Sequence, residues 1–443
     1  MSSSESDADR IRRNDKSVTD IIICYDWQST DAVEILGALK NNIVVKDVTF
    51  SDPDYLLLEN QEAQLKLSEL MKCNKSIESL RIHLESSKRN QVLAILATSG
   101  WSSIQELVLH DISRYMSLRV SKDVSNFILK SENLRTLSLD IAGNEYEPII
   151  EALSRTKVQS LQMCFRRPFS LQNGGRQLST ALERCTRITE LRLQCPSDNY
   201  NVEFLSLFFL ESIPLKKVEL EIVYYANQQF FDTVGQCIGG YQGEIEELIL
   251  MYRVSAVNSS IVGLAPALRR LKVIRFGGYA SLTTQQIGEL SSIVADCDTL
   301  EEFGYTLSQR VHTDEFKAIC QLLSRFPSLK RVTQEHGDWG IGGTVDLYEE
   351  SRFLAFLEMI KTSKTIEQVP FSEGRNAEEE AAIQHHCRNN MMHNQIKIIR
   401  ENGLFSATVP SSTWPLILKK FSDMPDVIYY LLQQKHGAMI GPT

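Results

Sequence analysis

QHHC at 384–387, with His393 close behind, is the densest group of metal-capable side chains in the sequence. A structural zinc site needs four converging ligands. His385 and His386 are neighbours and so point to different sides of a helix, and neither a carboxylate nor a second cysteine completes the set. They read as the surface of a terminal helix. EHGDWGIGGT (335–344) is glycine-rich, but no Lys follows, and G-x-x-x-x-G-K-[ST] is absent from the chain. It reads as an inserted loop that could present Trp339 to a partner. No Ser/His/Asp grouping, carboxylate pair in a cleft motif or cofactor fingerprint occurs, so the expectation is a non-enzymatic chain with no metal and no cofactor.

The cysteines, Cys24, Cys73, Cys164, Cys185, Cys195, Cys237, Cys297, Cys320 and Cys387, are nine in number and form no C-x-x-C pair. An odd count of scattered thiols in a long chain points to a reducing compartment. Cys73, Cys185 and Cys297 each precede a strand phrase, where a small buried residue is expected.

What remains is recognition chemistry. Arg192, Glu219, Glu221, Glu247, Arg270 and Lys272 mingle with Ile249, Met251 and Ile274, and Tyr252 and Arg253 lie just beyond. Exposed aromatics beside Arg and Met are the composition of an interaction surface. The charged members sit in alternating triplets, Leu191-Arg192-Leu193, Val218-Glu219-Leu220 and Leu271-Lys272-Val273. A period of two means strands with one face buried and one facing water.

Those strands repeat. SENLRTLSLD (131–140) carries Leu134, Leu137 and Leu139 as L-x-x-L-x-L. Copies begin at Val18, Val45, Ile77, Ile104, Leu134, Val158, Ile188, Leu215, Ile245, Leu268, Leu300, Leu329 and Ile366, on average 29.0 residues apart, and a weaker fourteenth is His393/Ile396/Ile398. Amphipathic runs lie between them. In GRQLSTALERC (175–185), Leu178, Ala181, Leu182 and Cys185 make one helical stripe. Each unit is therefore strand, loop, helix and tight return. Parallel strands covered on both faces would read as continuous apolar runs, and thirteen units exceed the eight of a barrel.

A period near 29 residues with L-x-x-L-x-L is similar to the leucine-rich repeat, and most resembles its ribonuclease-inhibitor-like subclass. The resemblance implies an α/β solenoid, a curved horseshoe of about 13 βα repeats with a parallel sheet on the concave face and helices on the convex face. It covers 17–400, leaving 1–16 as a disordered N-terminal segment and 401–443 as a helical C-terminal cap. In the tail, Thr413 with Pro415 and Asp423 with Pro425 suit two helix starts. Its W-P and Y-x-L-L pattern also resembles tails of uncharacterised leucine-rich-repeat proteins of diatom-type algae. One departure stands out: no copy has Asn or Cys three residues after its last apolar position, where the family usually satisfies turn backbone.

Functionally, the resemblance implies a scaffold that binds a protein partner across copies seven to ten, through the residues named above, or through the Trp339 loop. It also leaves open a regulator of a small GTPase, although the long acidic tail of such proteins is absent, and a ubiquitin-ligase substrate receptor, although no F-box opening with Leu-Pro precedes Val18. A net charge of −9 argues against nucleic acid or an anionic membrane as partner. FLSLFFL (204–210) is far too short to span a bilayer, and the polar start MSSSESDADRIRRNDKS has no signal-peptide core. The expectation is a cytoplasmic or nuclear monomer.

Overall fold

A computed structural model of the chain describes residues 6–24, 29–51, 60–83, 91–110, 118–141, 147–165, 180, 182–195, 202–225, 228–254, 260–278, 282–305, 313–334, 350–369, 377–401, 419 and 428. It divides into two compact units, Met1–Ser259 and Ser260–Thr443. The first holds strands β1 (Asp20–Cys24), β2 (Asp47–Ser51), β3 (Ser79–His83), β4 (Glu106–His110), β5 (Thr136–Ile141), β6 (Ser160–Phe165), β7 (Glu190–Cys195), β8 (Lys217–Tyr225) and β9 (Glu247–Val254). Its helices are α1 (Asp7–Arg12), α2 (Ser29–Leu39), α3 (Gln61–Cys73), α4 (Gln91–Ser99), α5 (Leu118–Lys130), α6 (Glu147–Leu153) and α7 (Gln228–Gly240), with a 3-10 turn at Val202–Leu207. The second holds β10 (Val273–Gly278), β11 (Glu302–Tyr305) and β12 (Arg331–Gln334). Its helices are α8 (Ala265–Leu268), α9 (Thr284–Ile293), α10 (Thr313–Leu323), α11 (Glu350–Ser363) and α12 (Ala377–Glu401).

Within each unit every strand pairs in parallel with the next in the chain, and the sheet stays open. The architecture is a leucine-rich-repeat solenoid. Its core lies between sheet and helices. Leu107, Leu137, Leu161, Val218 and Leu248 share one inward row and are 0% exposed, as is Phe127 of α5. Full burial of each such side chain is worth ~1.5–3 kcal/mol, so the array is held by its repetition rather than by any one contact. Neighbouring repeats are also stapled at the strand starts. The amides of Lys46 and Asp47 share the Thr19 carbonyl at 2.8 and 3.3 Å, those of Glu78 and Ser79 share that of Lys46, and the pattern recurs to Glu246 and Glu247 on Lys216 in the first unit and from Glu301 and Glu302 on Lys272 to Glu367 and Gln368 on Lys330 in the second.

One return from helix to strand uses asparagine where sequence reading places cysteine. Cys185 and Cys297 are buried as expected, but Cys73 is exposed. Asn74 is the buried residue there. Its Oδ1 accepts from the Ser76 and Ile77 amides at 2.8 and 3.0 Å, and its Nδ2 donates to the Leu39 and Asn42 carbonyls at 2.6 and 2.9 Å. Asn42 acts likewise, accepting from Val44 and Val45 and donating to Ile11. The amide ladder missing from the far side of the strand is thus supplied, for these two repeats, on the near side.

Four expectations are corrected. Residues 1–16 are not wholly disordered: α1 begins at the Ser6 cap, and Ile11 is 0% exposed. The tenth phrase is Leu271/Ile274/Phe276, not Leu268/Leu271/Val273, because Ile274 and Phe276 are the side chains that enter the core. The thirteenth copy shrinks to a single bridge, Arg331 to Gln368, leaving twelve strands among the described residues. The fourteenth is no strand, since His393 and Ile396 lie in α12. That helix packs Ile383 and Cys387 inward and sends Asn390 to the Ile360 and Ile366 carbonyls, covering the last repeat. The expected cap at 401–443 lies almost entirely outside the described residues.

Candidate interaction face

In the first unit the outward rows of β7–β9 align as Glu190–Lys217–Glu247, Arg192–Glu219–Ile249 and Gln194–Glu221–Met251. Alternation along each strand sends Leu191, Val218 and Leu248 into the core and these residues to the opposite face. Arg192 bridges two carboxylates of β8, with Nε 3.0 Å from Glu219 and Nη2 3.3 Å from Glu221. Gln194 donates to Glu221 at 2.9 Å, and Lys217 lies 3.5 Å from Glu247. The carboxylates are the covered partners: side-chain exposure is 15% for Glu219 and 14% for Glu221, against 38% for Arg192. Burial raises the Glu219 pKa; Arg192 and Lys217 oppose that shift, while Glu221 and Glu247 add to it. Four carboxylates, Glu190, Glu219, Glu221 and Glu247, against two cations leave the patch formed by these rows short of positive charge. Met251 is half-buried beside it, and Ile249 is nearly covered by its neighbours at 9% exposed. Tyr252 and Arg253 lie on β9, with Tyr252 opposite Ile222, but their side chains fall outside the described residues, as does Trp339.

The second unit revises the remaining members. Arg270 and Lys272 are exposed but precede β10, so neither projects from its outward face. Ile274 is 0% exposed and belongs to the core. The three-residue shift in the phrase is the reason: it exchanges inward for outward positions along β10. The residue sequence reading overlooks is Arg275, which stands between Ile274 and Phe276 as Arg192 stands between Leu191 and Leu193. Even spacing could have found it. Starting the phrase at Leu271 makes the flanking intervals 26 and 29 residues instead of 23 and 32.

Arg275 builds a cluster with residues from β11 and β12. Glu302 points outward from β11 yet its side chain is only 6% exposed. Its Oε1 takes Arg275 Nη2 at 2.7 Å and Nε at 2.9 Å, and its Oε2 takes Arg331 Nη1 at 3.0 Å. Thr333 Oγ1 approaches Oε1 at 3.4 Å, and Arg331 Nε donates to Gln368 at 2.9 Å. Gly304 must lack a side chain here: a Cβ would meet Arg275 Cγ at 2.7 Å and Thr333 Oγ1 at 2.8 Å.

Among the described residues no group of three or more His, Cys, Asp or Glu is arranged to hold a metal. On α12, His385 is exposed whereas Cys387 is buried, so the QHHC side chains diverge. Burial pushes the Cys185, Cys297 and Cys387 thiols up to about 11 and that of Cys320 to about 12, which suits packing rather than nucleophilic work. Sequence reading also misses a ring pair on the outward face, His83 and His110, whose centroids are 4.7 Å apart on β3 and β4. Among the described residues no helix is long and apolar enough to cross a membrane.

No family model matches the chain, and no curated protein matches it. Among solved structures it is similar to the leucine-rich repeat-containing protein LegL7 from Legionella pneumophila, at 12% identity and a TM-score of 0.42, covering 82% of this chain and 95% of that one. It is similar to a chain of the yeast Rad7–Elc1 complex at 14% identity and a TM-score of 0.40, covering 73% and 78%. A third is a chain of the TLR13–ssRNA13 complex, at 12% identity and a TM-score of 0.33, covering 68% and 43%. The chain's own strands, parallel and in sequential order with an apolar row turned to the intervening helices, have the architecture of a leucine-rich-repeat solenoid.

Proposed function

We propose that this chain is a non-enzymatic interaction scaffold of the ribonuclease-inhibitor-like kind, and that it holds a protein partner on the outward face of β7–β9. The observation that carries this is the row of half-buried carboxylates, Glu219, Glu221 and Glu247, organised by Arg192 and Lys217 beside Met251. Its charges are already ordered and partly stripped of water, so a partner's basic group would meet a prepared surface. Adjacent strands ~4.8 Å apart make the three rows one surface. With the neighbouring loops it could supply the ~800 Å² per partner of a standard interface. Arg253, next to Tyr252 near the end of β9, is assigned as the anchor and Trp339 as a further contact; Tyr252 is in register with buried Ile222 and is not assigned to the outward face.

The test begins with a photo-crosslinking amino acid in place of Met251, and in a control at exposed Leu65 of α3, followed by identification of what is captured. The captured protein is then titrated calorimetrically. Arg253→Ala should cost ~2 kcal/mol or more of binding, while substitutions at the rim stay nearly silent. Full-strength binding by this variant, with unchanged folding, would move the site off β9.

A further inference from the structure

We propose that the outward face of β10–β12 holds a carboxylate-bearing segment of a protein partner, with Arg331 as its direct contact. This deepens the scaffold reading and rests on it, but concerns the second unit alone. Two guanidinium groups, Arg275 and Arg331, converge on one carboxylate, Glu302, so the cluster keeps one positive charge in a chain whose net charge is −9. Glu302 is not offered to a partner, being sealed beneath both arginines and Thr333. Arg331 is offered: its side chain is 53% exposed. Its bonds to Glu302 and Gln368 use two of the five N–H donors of a guanidinium. Three remain on a planar fork whose orientation is already set from two sides, and such a fork suits a carboxylate oxygen pair at small cost in ordering.

The rest of this face selects against the alternatives. Its other described outward positions, Val273, Gly277, Gly304 and Thr333, are uncharged and carry no aromatic ring on which a base could stack. Gly304 lets Arg275 and Thr333 close over the strand, so the arginine reaches Glu302 and leaves Arg331 as the projecting charge. A latch that only pinned Glu302 would need no second, half-exposed guanidinium, since Arg275 alone already makes two bonds to Oε1.

The experiment uses the full chain and three labelled probes of matched length: hexaglutamate, hexalysine and hexathymidylate, followed by fluorescence anisotropy. Hexaglutamate should bind at ~20 mM salt and weaken strongly by ~0.5 M, as a surface ion pair does. Arg331→Gln should weaken it by roughly tenfold. Arg155→Gln, which removes the same charge from an exposed arginine of the first unit, should leave it within about twofold. Arg331→Lys keeps charge but loses the fork and should fall between, and it replaces the Gln variant if that one fails to fold. Hexaglutamate binding that ignores Arg331→Gln, falls equally with Arg155→Gln, or is absent at low salt would overturn the proposal. Equal binding of hexathymidylate would do so too, by showing an unselective anion site. Failure at Met251 with success here would sink the β7–β9 reading and leave this one standing; the reverse outcome would do the opposite.

Discussion

Asn74→Ala removes a buried side chain that ties two neighbouring repeats together, and Cys73→Ala, one residue away, is its control. Asn74 is 2% exposed, and its amide makes five hydrogen bonds, to the Leu39 and Asn42 carbonyls, the Ser76 and Ile77 amides and the Ser76 hydroxyl. At ~0.5–1.5 kcal/mol net each, the five sum to ~2.5–7.5 kcal/mol. Alanine also leaves two amides and two carbonyls without that partner in a return closed to water. Partial relaxation of the return offsets some of this, and we expect ~3 kcal/mol. Cys73 is exposed, and its loss should stay within ~0.5 kcal/mol. Because a repeat array need not unfold in one step, the readout should be local. Hydrogen exchange followed by mass spectrometry should show the amides of Ser76 and Ile77 opening about 100-fold more often in Asn74→Ala. Equal costs for the two variants, or unchanged exchange at Ser76 and Ile77, would refute the claim that this asparagine closes the return.

Leu137→Ala and Leu248→Ala should each cost ~2–5 kcal/mol in urea unfolding, whereas Thr136→Ala, at a half-buried outward position, should cost under ~0.5 kcal/mol; equal losses would mean that Thr136 is packed as tightly as the inward row. Gly304→Ala should destabilise by ~1–3 kcal/mol, because its new methyl must displace Arg275 or Thr333, and a thermal melt no different from the parent would contradict the close approach. Glu219 has its pKa raised by burial, so the folded state binds its proton more tightly than the unfolded one. Stability should therefore decline as pH rises past its ordinary value of 4.5, and Glu219→Gln should flatten that decline in melts taken between acid and neutral pH; a steeper decline would reverse the sign. Native protein treated with iodoacetamide at pH 8 should label Cys73 well before Cys185, Cys297 and Cys320, which are buried with raised pKa values, and early modification of Cys320 would show its helix to be open.

The repeat was legible because solenoid burial is periodic in the chain itself. Leu134, Leu137 and Leu139 enter the core at spacings that the strand pleat imposes, and the same spacings recur wherever the next repeat must stack. One-sided alternation around Arg192 and Glu219 likewise placed both on the outward face without any structure. Copy ten was different: Leu268, Leu271, Val273, Ile274 and Phe276 are all apolar, so two phrases fit and the pattern alone is degenerate. Packing broke the tie: Leu268 and Leu271 are buried in either reading, but Ile274 and Phe276 fill the core while Val273 is only half-buried, and with that choice Arg275 rather than Lys272 became the outward charge. The same limit explains Cys73 and Asn74. Hydrophobicity favours the cysteine for a buried place, but the return exposes backbone amides and carbonyls that only a side chain with both donor and acceptor can satisfy. Sequence by itself determined which chemistry each repeat buries, since that is a matter of period. Only the tertiary structure decided which polar groups meet across strands, because residues such as Arg275, Glu302 and Arg331 are about 29 positions apart and become neighbours only when the repeats stack.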